Sequence, residues 1–187
     1  MVRQVKQIGI SAGVAVLGLL GPVAPQARGD TPAIDVTALQ AKAEGGDALA
    51  AFQLGTLDYV GASGVVQDWV GAAKWLTLSA TAGNADAQCE LGLLYEIGSY
   101  GDAEPQEPAT AVQWYGKSAA LGNRYGEFAL AAMYDSGKGV TKDPVKAAQL
   151  YAAASAQGYT ADKTTFPEEQ INRHFHQIAT DLTGTTE

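Results

Sequence analysis

The sequence predicts an all-α fold made of stacked helical hairpins, and three observations carry that expectation. Segments recur: Trp75 returns at Trp114 and Gly83 at Gly122, both 39 positions on, while Leu54-Gly55 returns at Leu91-Gly92 after 37. Ala111 and Gly122 return at Ala147 and Gly158 after 36. Independent matches at nearly one shift, with length differences confined to loops, mark a helical repeat. Within a copy, Ala87, Leu91 and Tyr95 fall at i, i+4 and i+8, one face of a helix. Finally, glycine follows each second helix, at Gly83, Gly122 and Gly158, where a chain reversal needs a left-handed residue.

Taken in order, residues 1–29 read as a secretory signal peptide. Arg3 and Lys6 give a positive start, Ile8 to Leu20 an apolar core, and Ala27-Arg28-Gly29 a small-x-small cleavage site after Gly29. The apolar run is shorter than the ~20 residues of a membrane span. Cys89 is the one cysteine, far from any lipidation position. The mature chain is expected to start at Asp30, without stable membrane insertion, in the periplasm or outside the cell.

Residues 30–45 hold a linker and an N-terminal capping helix, with Asp35 as its cap and Val36, Leu39 and Ala43 on one side. The terminal units of a stacked array must cover its open ends. The first hairpin occupies 46–83, with Ala50, Leu54 and Gly55 in its first helix, Trp75 in its second, and Asp68 placed to cap that second helix. The second occupies 84–122 and carries an enlarged loop, 98–108, with two prolines and three acids that keep it solvated. In the third, 123–158, Pro144 takes a favoured helix-start position, and Leu150-Tyr151 replaces the Trp114-Tyr115 pair. Residues 159–187 form a loop, a helix opened by Pro167-Glu168-Glu169, and a tail; Ile171, Phe175, Ile178 and Leu182 share one face, suited to capping the far end.

These residues resemble the Sel1-like repeat family, relatives of the tetratricopeptide repeats. The family's elements stand here as Ala87-Gln88, Leu91-Gly92, Tyr95 and Gly98; as Gly137-Lys138-Gly139-Val140-Thr141-Lys142-Asp143 with Lys146-Ala147; and as Ala111, Trp114-Tyr115, Ser118-Ala119-Ala120 and Gly122. The resemblance spans residues 46–158. It implies a right-handed α/α superhelical solenoid of about three Sel1-like repeats, used for protein–protein contact, with no catalytic residues or cofactor to carry over. One departure is Asp58, where the other copies have Tyr95 and Tyr134; Tyr59 follows directly, which leaves a local shift of that helix end open.

The net charge of −8 becomes −11 without residues 1–29, which hold three of the 12 basic residues and none of the 20 acids. Nucleic acid and anionic membranes select basic patches, so the balance argues against both. Cys89 aligns with Phe52 and Phe128, which makes it a buried apolar position rather than a nucleophile. His174 and His176, two apart on a helix, point about 200° from each other and cannot chelate one metal together. Trp75, Trp114 and Tyr115 recur at repeat spacing and read as core, not as a sugar platform.

What does not recur is more informative. Beside the core face of each first helix runs a stripe: Leu49, Gln53, Thr56 and Val60, then Asp86, Glu90, Leu93 and Ile97, then Tyr125, Ala129, Ala132 and Ser136. Packing solved three times over should repeat its residues, whereas a partner-facing stripe need not. Gln53, Thr56, Asp86, Glu90, Leu93, Tyr125 and Ala129 are the candidate partner-binding residues, on the concave side that related solenoids present. The expected function is a non-enzymatic exported scaffold or regulator binding a protein in the bacterial envelope. The alternatives are a peptidoglycan- or β-lactam-directed protein, for which no Ser-x-x-Lys or metal motif is present, and a secreted effector of host proteins.

Overall fold

In the computed structural model, residues 34–61, 65–98, 106–159 and 167–184 are described. The expected signal peptide lies outside them, as do most of the loop 98–108 and residues 160–166. The described residues form eight α-helices and no strand: α1 (Val36–Glu44), α2 (Ala48–Val60), α3 (Trp69–Thr81), α4 (Ala85–Ile97), α5 (Pro108–Ala120), α6 (Arg124–Ser136), α7 (Pro144–Ala156) and α8 (Pro167–Thr183). Helices α2 and α3, α4 and α5, and α6 and α7 are the three hairpins, and α3 packs on α4 and α5 on α6 to stack them.

Each boundary has a local cause. The carboxylates of Asp47, Asp68 and Asp143 and the amides of Asn84 and Asn123 accept from backbone N–H groups in the first turn of the helix each precedes. Helix α5 lacks a side-chain cap and begins instead at Pro108, which has no N–H to satisfy. The first helices end at Gly61, Gly98 and Gly137, all left-handed, with φ between 74° and 81°.

The second helices end by another repeated device. Asn84, Asn123 and Tyr159 donate their N–H to the carbonyls of Ser79, Ser118 and Ala154, across the positive-φ glycines Gly83, Gly122 and Gly158. Asp47 does the same to Lys42 across Gly46, so α1 ends as a second helix of a hairpin ends. It packs on α2, with Ala43 buried and Val36 and Leu39 against a cluster that contains Leu54 and Trp75. The expected N-terminal cap is therefore a helix in repeat register.

Backbone pairing also fixes the hairpin loops. Asp68, Glu107 and Asp143 donate to the carbonyls of Asp58, Tyr95 and Tyr134 at 2.8–2.9 Å. Asp58 thus occupies the repeat position of the two tyrosines, and the helix end is not shifted. Its side chain lies half-buried, where burial and the neighbouring Asp68 charge raise its pKa to about 6.

The hairpins close tightly through small residues. A methyl group on Gly92 would stand 2.7 Å from the Tyr115 ring, and one on Gly55 would stand 2.7 Å from Leu76. Between hairpins, Gly126 lies against Ser118. Ser79 and Ser118 donate to the carbonyls of Ala48 and Ala85, tying each second helix to the start of its first. Cys89, Phe52 and Phe128 are all buried, as their shared repeat position requires. Trp75 and Tyr115 are core residues; Trp114 is half-buried beneath Lys117, and Trp69 is exposed.

The C-terminal helix departs from expectation. Rather than capping the outer hairpin, α8 packs on α2, α4 and α6, the first helices of all three hairpins. Its apolar face is the expected one: Ile171, Phe175 and Ala179 are buried, and Ile178 and Leu182 half-buried. A long, strongly amphipathic helix buries most apolar area along the channel between parallel first helices, and that gain decides its seat.

The close approach of Gly92 to Tyr115 makes a paired prediction. Gly92→Val should destabilise the protein by about 1–3 kcal/mol through overpacking. Gly116→Ala, where an added methyl meets nothing within 4 Å, should stabilise it by up to about 1 kcal/mol through helix propensity. Thermal or urea unfolding followed by circular dichroism checks both signs.

Candidate functional site

The parallel first helices α2, α4 and α6 bring the three nonrecurring stripes side by side. Gln53, Asp86 and Tyr125 are partly exposed there. Thr56, Glu90, Leu93 and Ala129 are not: their relative exposures are 0, 0, 1 and 2%. The expectation of an open contact face is corrected for these four. The first helices pack on one another, α4 against α6 among them, and α8 covers the channel between them.

Ring contacts locate α8 over this face. His174 stacks on Tyr125, centroids 3.9 Å apart and nearly parallel, and Tyr125 meets Tyr159 edge-on at 5.2 Å. The Tyr159 hydroxyl donates to Gln170 Oε1 at 2.6 Å, fastening the start of α8 to the end of the third hairpin. Ile171 and Phe175 join the same apolar cluster as Phe52, Tyr59, Leu93 and Met133.

The polar groups of the channel are less completely matched. Thr56 Oγ1 lies 3.0 Å from both Glu90 Oε2 and the Phe52 carbonyl, so its single proton serves one of them, and Glu90 Oε1 is buried with no hydrogen-bond partner, as is Asn172 Oδ1 on α8. Burial pushes the Glu90 carboxyl well above the ordinary range; Thr56 opposes the shift and Asp86, one turn away, adds to it. Asp86 is itself held by Asn123, whose Nδ2 donates to Oδ1 at 2.6 Å. His174 sits below its ordinary value because of burial, with the Asp86 charge acting against that shift and Arg124 acting with it.

A second buried acid was missed in the sequence. Glu96, at the end of α4, accepts from the Tyr115 hydroxyl at 2.8 Å and from Lys138 Nζ at 3.0 Å, so one carboxylate joins both helices of the second hairpin to the loop of the third. The sequence shows only a lysine between Gly137 and Gly139; it is the seat of Gly139, at φ 70° against the Pro108 carbonyl, that places Lys138 over the preceding hairpin.

The titratable side chains of the channel are buried or engaged. The Cys89 thiol is buried and its pKa raised, chiefly by desolvation and further by Asp86, Glu90 and Glu96, so thiolate is scarce. His176 is exposed, with Nδ1 2.9 Å from the Asn172 carbonyl, and His174 is engaged in stacking. Among the described residues, no three His, Cys, Asp or Glu side chains converge as metal ligands. No described helix is long and apolar enough to cross a membrane.

Comparison with known proteins agrees with this architecture. The family described as Sel1 repeat matches residues 48–84, 85–123 and 124–159. Among solved structures, a Sel1 repeat protein from Oxalobacter formigenes is 31% identical, with a TM-score of 0.61 over 74% of this chain and 100% of that one. The protein c5321, a protective antigen of uropathogenic Escherichia coli with an SLR fold, is 29% identical, with a TM-score of 0.62 over 78% of this chain; the match spans 33% of the E. coli protein. Helicobacter pylori cysteine rich protein B shares the fold at 20% identity, with a TM-score of 0.52 over 67% of this chain and 92% of that one. No curated protein gives a significant match.

The buried Glu90 predicts a pH dependence. Its unfolded carboxyl ionises near 4.5, while the folded one stays protonated to a higher pH. Between those values the folded state holds the extra proton, so stability falls as pH rises, by up to about 1.4 kcal/mol per pH unit. Glu90→Gln removes this contribution. Urea unfolding from pH 4 to 8 should show the wild type losing stability relative to the variant as pH increases.

Proposed function

This chain belongs to the Sel1 repeat family, and from that premise we propose that it is an exported, non-enzymatic scaffold or regulator that binds a protein of the bacterial cell envelope. Sel1 repeats generally mediate protein interactions. The observation that carries the reading is how the residues are spent: those that recur close the hairpins, whereas those that differ between copies lie along α2, α4 and α6 on the face that α8 covers in this structure.

Export rests on residues 1–29: a positive start at Arg3 and Lys6, an apolar run, and the Ala27-Arg28-Gly29 cleavage site. The acidic balance, −11 without that segment, suits a partner with a cationic surface and works against nucleic acid or anionic lipid. The similarity to a protective antigen of a pathogenic bacterium is in keeping with export. Nothing in the channel favours the peptidoglycan or β-lactam reading over protein binding, since its one thiol is buried and its histidines are a stacked one and an exposed one.

In-cell crosslinking of the tagged, processed protein, with mass spectrometry of what it captures, tests the proposal alongside cell fractionation. The expected result is a periplasmic protein joined to one dominant envelope protein, with no hydrolysis of a chromogenic β-lactam. Retention on insoluble peptidoglycan without a protein partner, or turnover of the β-lactam, would replace this reading with a cell-wall one. Recovery chiefly from the medium would replace the envelope role with that of a secreted effector.

A further inference from the structure

We propose that the channel between α2, α4 and α6 is a helix-binding groove that α8 occupies in cis, and that its trans occupant is an amphipathic helix of the partner carrying a lysine or arginine that reaches Glu90. The proposal rests on the interaction-scaffold reading and names the surface and the chemistry of what it takes.

The seat of α8 defines the groove. It accepts a helix of 17 residues whose buried side chains, Ile171, Phe175 and Ala179, succeed one another at spacings of four. It holds that helix on all three first helices at once, so a single segment reads the nonrecurring residues of every repeat. Those residues differ between copies because each meets a different turn of the inserted helix.

The fit of α8 is good in apolar shape and incomplete in charge. The groove presents two acids a turn apart, Asp86 and Glu90, and α8 brings no lysine or arginine onto its buried face; Arg173 is exposed. Arg124, at the edge, is exposed with its guanidinium 3.3 Å from the Tyr125 hydroxyl. Glu90 Oε1 and Asn172 Oδ1 are buried with no hydrogen-bond partner. A buried acceptor left unmatched costs about 1–3 kcal/mol, and a charged donor supplied to it forms one of the stronger hydrogen bonds. A trans helix with an amine at that point makes a bond that α8 leaves unmade. It must also displace α8, so its apparent affinity is reduced by the fraction of molecules with the groove closed.

The test uses full-length protein and synthetic peptides, so it is independent of whether crosslinking finds an envelope partner. A fluorescent peptide of residues 167–184 serves as the probe, with four variants carrying Asn172→Lys, His174→Lys, Ile178→Lys or Leu182→Lys. Phe175→Asp in the full chain should release α8; Ile178→Asp serves as a second opened variant if the first does not fold.

By fluorescence anisotropy, the parent peptide should bind an opened variant at least tenfold more tightly than wild type. At least one lysine peptide should gain a further tenfold, and Glu90→Gln in the opened background should abolish that gain. The proposal is overturned if folded opened variants bind no peptide, or if no lysine peptide gains affinity. It is also overturned if opened variants form dimers by light scattering in place of binding peptide, which would assign the groove to a second copy of the chain.

Discussion

The distance between paired helices is the constraint on which the rest of this structure depends. At Gly92 and Gly55 the first helix meets its partner so closely that a β-carbon would strike Tyr115 or Leu76, and at Gly126 it meets the preceding hairpin through Ser118. The third hairpin has Ala131 in place of Gly92, fully buried. With no room for side chains between them, helices of equal length pack in a fixed orientation. The Ser79 and Ser118 hydroxyl bonds to Ala48 and Ala85 hold that orientation at the other end of each pair. Three pairs built alike, joined by the same backbone turn at Gly83 and Gly122, stack their first helices side by side.

That stacking creates a problem the repeats do not solve for themselves. Each first helix buries one face against its partner and neighbours, yet Leu93, Ile97 and Tyr125 leave a further apolar strip along the channel. An exposed strip running the length of a solenoid attracts other chains. Helix α8 covers it with Ile171, Phe175 and Ala179, and its polar outer side returns the surface to water. The same residues that unite α8 with the repeats thus determine what else could lie there, which makes the fold and the interaction surface one question of side-chain fit.

Most of the repeat architecture was legible in the sequence because it is local or periodic. Caps at Asp68 and the start at Pro144 follow from the next few residues alone, and the equivalence of Cys89 with Phe52 and Phe128 follows from counting. The unshifted position of Asp58 was less accessible: a carboxylate where two tyrosines stand looks like a register change, but the bond from Asp68 is made to the backbone carbonyl and ignores the side chain. The seat of α8 was not legible, since periodicity gave its apolar face without saying which surface would meet it. Capping the last hairpin and lying along the channel demand the same amphipathic helix. The nonrecurring stripe was read as a partner-facing surface, yet Leu93 and Ala129 join the core cluster and Thr56 and Glu90 are buried, because a helix of the same chain lies over it.

The buried acids show how differently one residue type is used within this frame. Glu96 receives a tyrosine hydroxyl and a lysine amine, one from its own hairpin and one from the next, so its burial fastens the second repeat to the third. Glu90, six residues earlier on the same helix, has one threonine hydroxyl, shared with the Phe52 carbonyl, and no cation, and its carboxyl is pushed toward the neutral form. An unmatched polar atom is costly wherever it lies, and the two acids meet that cost differently. The difference follows the surface each belongs to. Glu96 faces an interface completed within the repeats, whereas Glu90 lies on the stripe whose cover is a separate helix of limited polarity. Gln88 Oε1, buried where α4 meets α3 while Gln88 Nε2 donates to the Ala80 carbonyl, is also a polar atom without a partner, so an incomplete match occurs inside the stack as well. What sets Glu90 apart is that its stripe is covered by a separate helix.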